Sequence, residues 1–244
     1  MSHKTEPGEG FIPAISAKVR PEMPLELSFM EEDDISAFAA IEAAAMEGWS
    51  VAKAMDTASH GGEPRQQMVE RWAREGFQND SQQVWLKVTD TELDELVAAA
   101  LWRFEVADER AGAASSVPAE RDAAVGPQRK THPVPDVMVA MGKIWEAFKC
   151  EFVGEQAFAN LSMLVTHPDH QRRGAASMLV QWGCEKADER GILAALMATE
   201  AGMGVYVRHG FQVMKQTMLD LRPYVVDASD SWTGMLRRPM PRET

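Results

Sequence analysis

The stretch from Ala157 to Gly191 limits the possible folds of this chain more than any other. It opens with AFANLSMLVT, an apolar run with the character of a strand. A turn holding Pro168 follows, then the loop Gln171-Arg172-Arg173-Gly174. The Ala- and Leu-containing run AASMLVQWGCEKADER comes next and has good helix propensity, with Gly191 to close it. The first amides of such a helix have no intrahelical partner. Gly174 and the small Ala175, Ala176 and Ser177 let a ligand come close to the backbone. Free amides and the helix dipole together make an anion site, and Arg172 and Arg173 place positive charge beside it. Phosphate or pyrophosphate is the natural occupant. The segment is neither GxxxxGK[ST] nor GxGxxG.

The rest of the chain supplies matching elements. Leu25–Phe29 alternates apolar and polar residues as a half-buried strand does, and Glu31-Glu32-Asp33-Asp34 leads into an Ala-rich helix. Residues Pro64 to Phe77 predict an amphipathic helix stopping near Gly76. Gln83–Val88 and Leu96–Phe104 predict two strands of a hairpin. Residues 107–135 are rich in Ala, Pro, Ser and charge, and read as a long excursion. Val137–Phe152 has helical spacing. Excursion and helix together read as a lid or substrate-side wall, or else as surface decoration. Beyond Gly191 come a strand at Ile192–Met197, a short helix at Gly202–His209 and a strand at Phe211–Leu219. The order predicts an α/β fold, α+β by some schemes, with a mixed sheet. The expected organisation is a loose leader over 1–23, one domain over 24–222 that includes an insertion at 107–156, and a C-terminal strand or tail over 223–244.

Composition excludes several classes. The 244 residues carry a net charge of −12, which argues against a nucleic-acid binder. Two cysteines, Cys150 and Cys184, make neither a disulfide framework nor a metal-ligand spacing, so free thiols are expected. His167 and His170 flank a turn without further ligands of metal spacing, and no metal is expected. No run reaches the ~20 apolar residues of a membrane span, and the first ten residues lack a signal-peptide core. A cytoplasmic protein with no membrane partner is the expectation. The charge is uneven. Residues 161–215 hold six basic and five acidic side chains, whereas residues 1–50 hold three and ten. The acidity is compatible with small cationic partners but identifies none.

The loop resembles the signature of the GNAT superfamily of acetyl-CoA-dependent N-acetyltransferases. Gln171-Arg172-Arg173-Gly174-Ala175-Ala176 is similar to the family's Q/R-x-x-G-x-G/A, which opens a helix after a strand. A second landmark resembles the family downstream: a short helix carrying Tyr206, then Gly210-Phe211. The likeness is strong over 157–219, and within the family it is closest to fungal members. It implies a central, mixed, mostly antiparallel sheet flanked by helices, with an insertion between the third and fourth strands.

The resemblance also implies the chemistry. The pantetheine arm of acetyl-CoA would lie along Leu164, Val165 and Thr166, and the pyrophosphate would sit on the amides from Gln171 and Arg172 through Arg173, Gly174, Ala175 and Ala176 to Ser177. A neutral primary amine would attack the thioester directly, and Tyr206 would return a proton to the leaving thiolate. A strand N–H near Leu164 or Val165 would polarise the carbonyl. The base is not singled out: Glu200 and Ser162, the latter holding a relay water, are candidates, with Glu151 and Glu155 behind them. The implied acceptor is a small-molecule amine, handled by a monomer or homodimer. A peptide or protein N-acetyltransferase, or a CoA-binding regulatory domain without turnover, are the alternatives.

Overall fold

The computed structural model describes residues 24–58, 63–105, 136–224 and 226–241. The expected leader and the excursion over 107–135 lie outside the described residues. A seven-stranded sheet forms the centre, in the order β1-β2-β3-β4-β5-β7-β6. The strands are β1 (Leu25–Phe29), β2 (Gln83–Asp90), β3 (Glu95–Glu105), β4 (Phe158–Thr166), β5 (Leu193–Ala198), β6 (Gln212–Asp220) and β7 (Ser229–Arg237). Only the β4–β5 pair is parallel, and the other pairs are antiparallel. The sheet is therefore mixed and mostly antiparallel. β7 lies between β5 and β6, so the chain beyond residue 222 completes the sheet.

β3 shows why the sheet is covered on both faces. Six consecutive residues, Val97 to Trp102, are buried, as in a central strand with a helix layer on each side. Ala98, Ala100, Trp102 and Phe104 belong to the cluster under α5 (Ala175–Arg190), together with Leu179, Val180 and Cys184. Ala99 and Leu101 turn to the opposite cluster, with Ile35, Phe38 and Ile41 of α1 (Ile35–Ala45) and Val69 and Ala73 of α3 (Arg65–Asn79). Alanines on β3 let both helix layers come close to the sheet. At Gly183 the approach is closest, since a Cβ there would lie 2.0 Å from Trp102 Cε2. The Trp102 indole N–H donates to the Leu179 carbonyl at 3.1 Å in the same contact.

Three local outcomes differ from the sequence reading. Helix α2 (Ser50–Ala58) was not foreseen. α3 passes Gly76 and ends at Asn79, because a glycine within an amphipathic stripe lowers helix stability without stopping it. The acidic run before α1 is partly neutralised, with Asp34 paired to Lys87 at 2.7 Å and Glu32 to Arg74 at 3.0 Å. Glu42, buried within α1, pairs with Arg65 at 2.6 Å. Three of the ten acidic residues in 1–50 thus hold α1 and the turn before it against α3 and β2. Helix α4 (Asp136–Phe152) packs Phe148 against Gly234 of β7, where a Cβ would sit 2.3 Å from the ring. Helix α6 (Met203–Arg208) lies between β5 and β6 in the chain.

Candidate active site

β4 and β5 pair only from Phe158↔Leu193 to Leu161↔Leu196. β4 then runs on to Thr166, hydrogen-bonded to β3 alone. Beyond Leu161 its other edge is open, and a wedge forms between the two strands. A β-bulge stands at its start: Leu101 pairs with Met163 and Trp102 with Leu161, so Ser162 is the extra residue. Ser162 shares the face of Asn160, two residues before it, whose Nδ2 donates to Ser162 Oγ at 3.0 Å. Leu164 packs into the cluster under α5, and Val165 into the cluster under α1. The sequence-predicted Leu164, Val165 and Thr166 therefore all lie on the open edge.

The loop into α5 is built as an anion cradle. Pro168–His170 forms a 3-10 turn, and Gln171 is extended at φ −66° and ψ 161°. Arg172 and Gly174 then adopt left-handed φ of 63° and 100°. Such alternation turns successive N–H groups toward one side. The first helical bond of α5 runs from Met178 N to Gly174 O. Among the described residues, the amides from Arg172 to Ser177 have no protein partner. They are oriented donors at the positive end of a sixteen-residue helix. Ser177 Oγ also lies 2.7 Å from His209 Nε2 at the end of α6. Burial, together with Arg208 and Arg237, lowers the His209 pKa and favours the neutral ring.

Arg173 is less available than the sequence suggested. Its guanidinium lies 2.6 Å from the Asp90 carboxylate and 2.8 Å from His170 Nδ1. Asp90 is 2% exposed. Burial pushes its pKa up, but the Arg173 guanidinium and the amides of Glu92 and Leu93 outweigh this and hold it below the ordinary value. The Arg173 side chain thus fastens the loop to β2, while its amide stays in the cradle. Arg172 is exposed and carries the free charge.

Tyr206 sits on α6, 7% exposed, in the same apolar cluster as Ala175 and Leu164. Its ring meets Phe211 edge-on at 6.0 Å, and Gly202 leaves room for it, since a Cβ there would lie 2.9 Å from Cε2. Burial pushes the phenol pKa well above its usual value. The other candidates are scattered. Glu200 is exposed in the turn after β5, and Glu151 is paired with Lys215. Cys184 is buried, and burial pushes its thiol up to about 11, which removes it as a nucleophile. Among the described residues, no group of three or more His, Cys, Asp or Glu is placed to hold a metal ion.

The sequence reading missed an open cavity of about 460 Å³ beside the bulge. Arg103, Glu105, Asn160 and Ser162 form its floor, α4 lends Trp145, Glu146 and Lys149, and Gln82 closes one side. Alternation along β3 contained a signal, because Arg103 and Glu105 share the face opposite Trp102. α4, from the second part of the expected insertion, lines this cavity.

A mixed sheet split between two parallel strands, with an amide cradle at the helix that follows the first of them, is an arrangement that can hold an anionic ligand. The model of the acetyltransferase (GNAT) family matches residues 67–211, and the chain belongs to that family. It is thus an acyltransferase that uses acetyl-CoA. No curated protein matches the sequence. Solved structures share the fold at low identity. A Corynebacterium glutamicum protein described as histone acetyltransferase HPA2 and related acetyltransferase is 16% identical, with a TM-score of 0.56 over 91% of this chain and 100% of its own. A mosquito arylalkylamine N-acetyltransferase-like protein is 9% identical, with a TM-score of 0.59 over 88% and 99%. An agmatine N-acetyltransferase is 11% identical, with a TM-score of 0.58 over 88% and 99%. The matches do not support a fungal affinity.

Proposed function

We propose that the chain transfers an acetyl group from acetyl-CoA to a small primary amine by direct attack in a ternary complex. The observation that carries this reading is the pairing of an open β4 edge with the unpartnered amides of residues 172–177. Bound there, acetyl-CoA supplies an activated acetyl thioester. The amides of Arg172 through Ser177 hold the pyrophosphate, with Gln171 shaping the loop. The open edge at Leu164, Val165 and Thr166 takes the amides of the pantetheine arm, and a β4 N–H polarises the carbonyl.

The neutral amine nitrogen attacks the carbonyl carbon, and the C–S bond breaks with its electron pair on sulfur. Tyr206 gives its phenolic proton to that sulfur. The nitrogen loses its extra proton to water, which Ser162 is placed to orient, and Tyr206 is reprotonated from solvent. Glu200 is retained as a lesser candidate for the base. A phenol kept neutral by burial holds its proton until sulfur leaves. The small cavity beside Ser162 favours a small acceptor over a protein tail. Of the structural neighbours, the agmatine N-acetyltransferase and the arylalkylamine N-acetyltransferase-like protein suit a small amine, while the Corynebacterium one is described as a histone acetyltransferase. Free thiols at Cys150 and Cys184 suit the cytoplasm.

Initial-velocity patterns test the order of events. Intersecting lines and an unmodified protein mass in acetyl-CoA alone are expected. Parallel lines with an acetylated protein would overturn direct attack.

A further inference from the structure

The cavity beside Ser162 has a lining that few simple amines would match. Among the described residues, Trp145 is its one aromatic side chain, and the remainder are two acids, two bases, two amides and a hydroxyl. Glu146 and Lys149 are 3.0 Å apart and largely satisfy each other. That leaves Arg103 and Glu105 to set the character of the floor. Glu105 has no hydrogen bond or ion pair among the described residues.

Arg103 is incompletely satisfied. Its Nη1 lies 3.4 Å from Asp80, a long ion pair, and its Nη2 donates to Gln82 Oε1 at 3.2 Å. Its Nε is buried without a partner. The side chain is nevertheless 40% exposed and lines the cavity. A guanidinium has five donors, and its preferred acceptor is a planar carboxylate.

Position adds to chemistry. Arg103 pairs with Asn160, two residues along β4 from Ser162, and Glu105 pairs with Phe158, four residues away. At ~3.3 Å per residue these stand about 7 Å and about 13 Å from the bulge. The Arg103 position thus stands two residues from a bulge at which an acceptor's amine would sit, and its side chain lines the same cavity as Ser162. An apolar arylalkylamine would cover charged groups without pairing them. A plain alkylammonium would leave Arg103 without a carboxylate partner.

We propose that the acceptor is a small amine that also carries a carboxylate, of the amino-acid type, and that Arg103 is the residue that selects it. This rests on the acetyltransferase reading above. Glu105, one step further along the same floor, offsets the charge of Arg103 without reaching the bulge.

Matched pairs that differ only in the carboxylate test the proposal on the full chain: phenylalanine with phenethylamine, lysine with cadaverine, and β-alanine with ethylamine. Turnover is followed by thiol release, and binding by chemical-shift changes in the presence of CoA. Carboxylated members are expected to win in kcat/KM. Arg103→Gln should lower that value for the best carboxylated acceptor by about tenfold to hundredfold, chiefly through KM, which is the range of one lost charged hydrogen bond. The preference within each pair should then collapse toward one. Arg103→Lys should restore only part of it, since the charge returns without the fork. Unchanged stabilisation by acetyl-CoA in both variants will show that the fold is intact.

Preference for the decarboxylated members, or an equal loss for both members in Arg103→Gln, would overturn the proposal. If no amine is turned over, the acetyltransferase reading fails on its own. The carboxylate site is then judged by binding. Carboxylated amines should shift signals in the wild-type chain and not in Arg103→Gln, and no such difference would overturn it.

Discussion

Tyr206 and Arg173 show how far a residue's role depends on its surroundings. Tyr206, proposed above as the acid, is buried, and burial raises its pKa. The sign of the consequence is definite. The active form is the neutral phenol, and its loss moves to higher pH than for a free phenol. Activity should therefore show no descending limb from this group below about pH 10, the ordinary phenol value. Tyr206→Phe should lower kcat by about a hundredfold with acetyl-CoA affinity nearly kept. An unchanged kcat in Tyr206→Phe would remove it as the acid. Arg173 behaves differently from a phosphate-binding arginine, because its side chain is held by the buried Asp90. Arg173→Ala should lower the melting temperature, and adding Asp90→Asn should recover part of the loss. A fall in acetyl-CoA affinity with no loss of stability would return Arg173 to the phosphate. The motif showed that a basic pair stands at the loop. It did not show that one member is paired to β2, because Asp90 is far away in sequence.

At the scale of elements, α5 and its contact with β3 organise the site. Gly183 lets the helix rest on the Trp102 indole. Gly183→Ala would ordinarily favour a helix. Here the added methyl would meet the ring, and the change should cost about 1–3 kcal/mol of stability by overpacking. Chemical denaturation measures it, and a neutral or stabilising result would contradict the packing described. The strand–loop–helix order from Ala157 to Gly191 was legible in the sequence because local signals agree there: apolar strand, proline turn, glycine, then helix formers. α2 was less legible. Its stripe of Val51, Ala54 and Met55 has helical spacing, yet nine residues give a weak periodic signal, and burial against α4 and Leu219 sustains it. The cavity was the least legible feature. Arg103 and Lys149 face one hollow only after α4 has folded back over the sheet, and no local pattern records that approach.

For the whole molecule, two unlike surfaces meet at the β4–β5 wedge. One side presents the amide cradle of α5, and the other presents the polar cavity between the sheet and α4. The net charge of −12 is not a uniform field, since Glu32, Asp34 and Glu42 are paired within the N-terminal half. Among the described residues, no helix is long and apolar enough to cross a membrane. The central claim is that this arrangement acetylates a small amine. Its most direct test is thiol release from acetyl-CoA across a panel of small amines, amino acids and peptides, with the acetylated product weighed by mass spectrometry. The account predicts release that depends on a small amine, with one acetylated amine formed per thiol. No release with any amine, while acetyl-CoA still raises the melting temperature, would contradict it and leave a CoA-binding domain without turnover. Release with peptides alone would contradict the small-molecule acceptor.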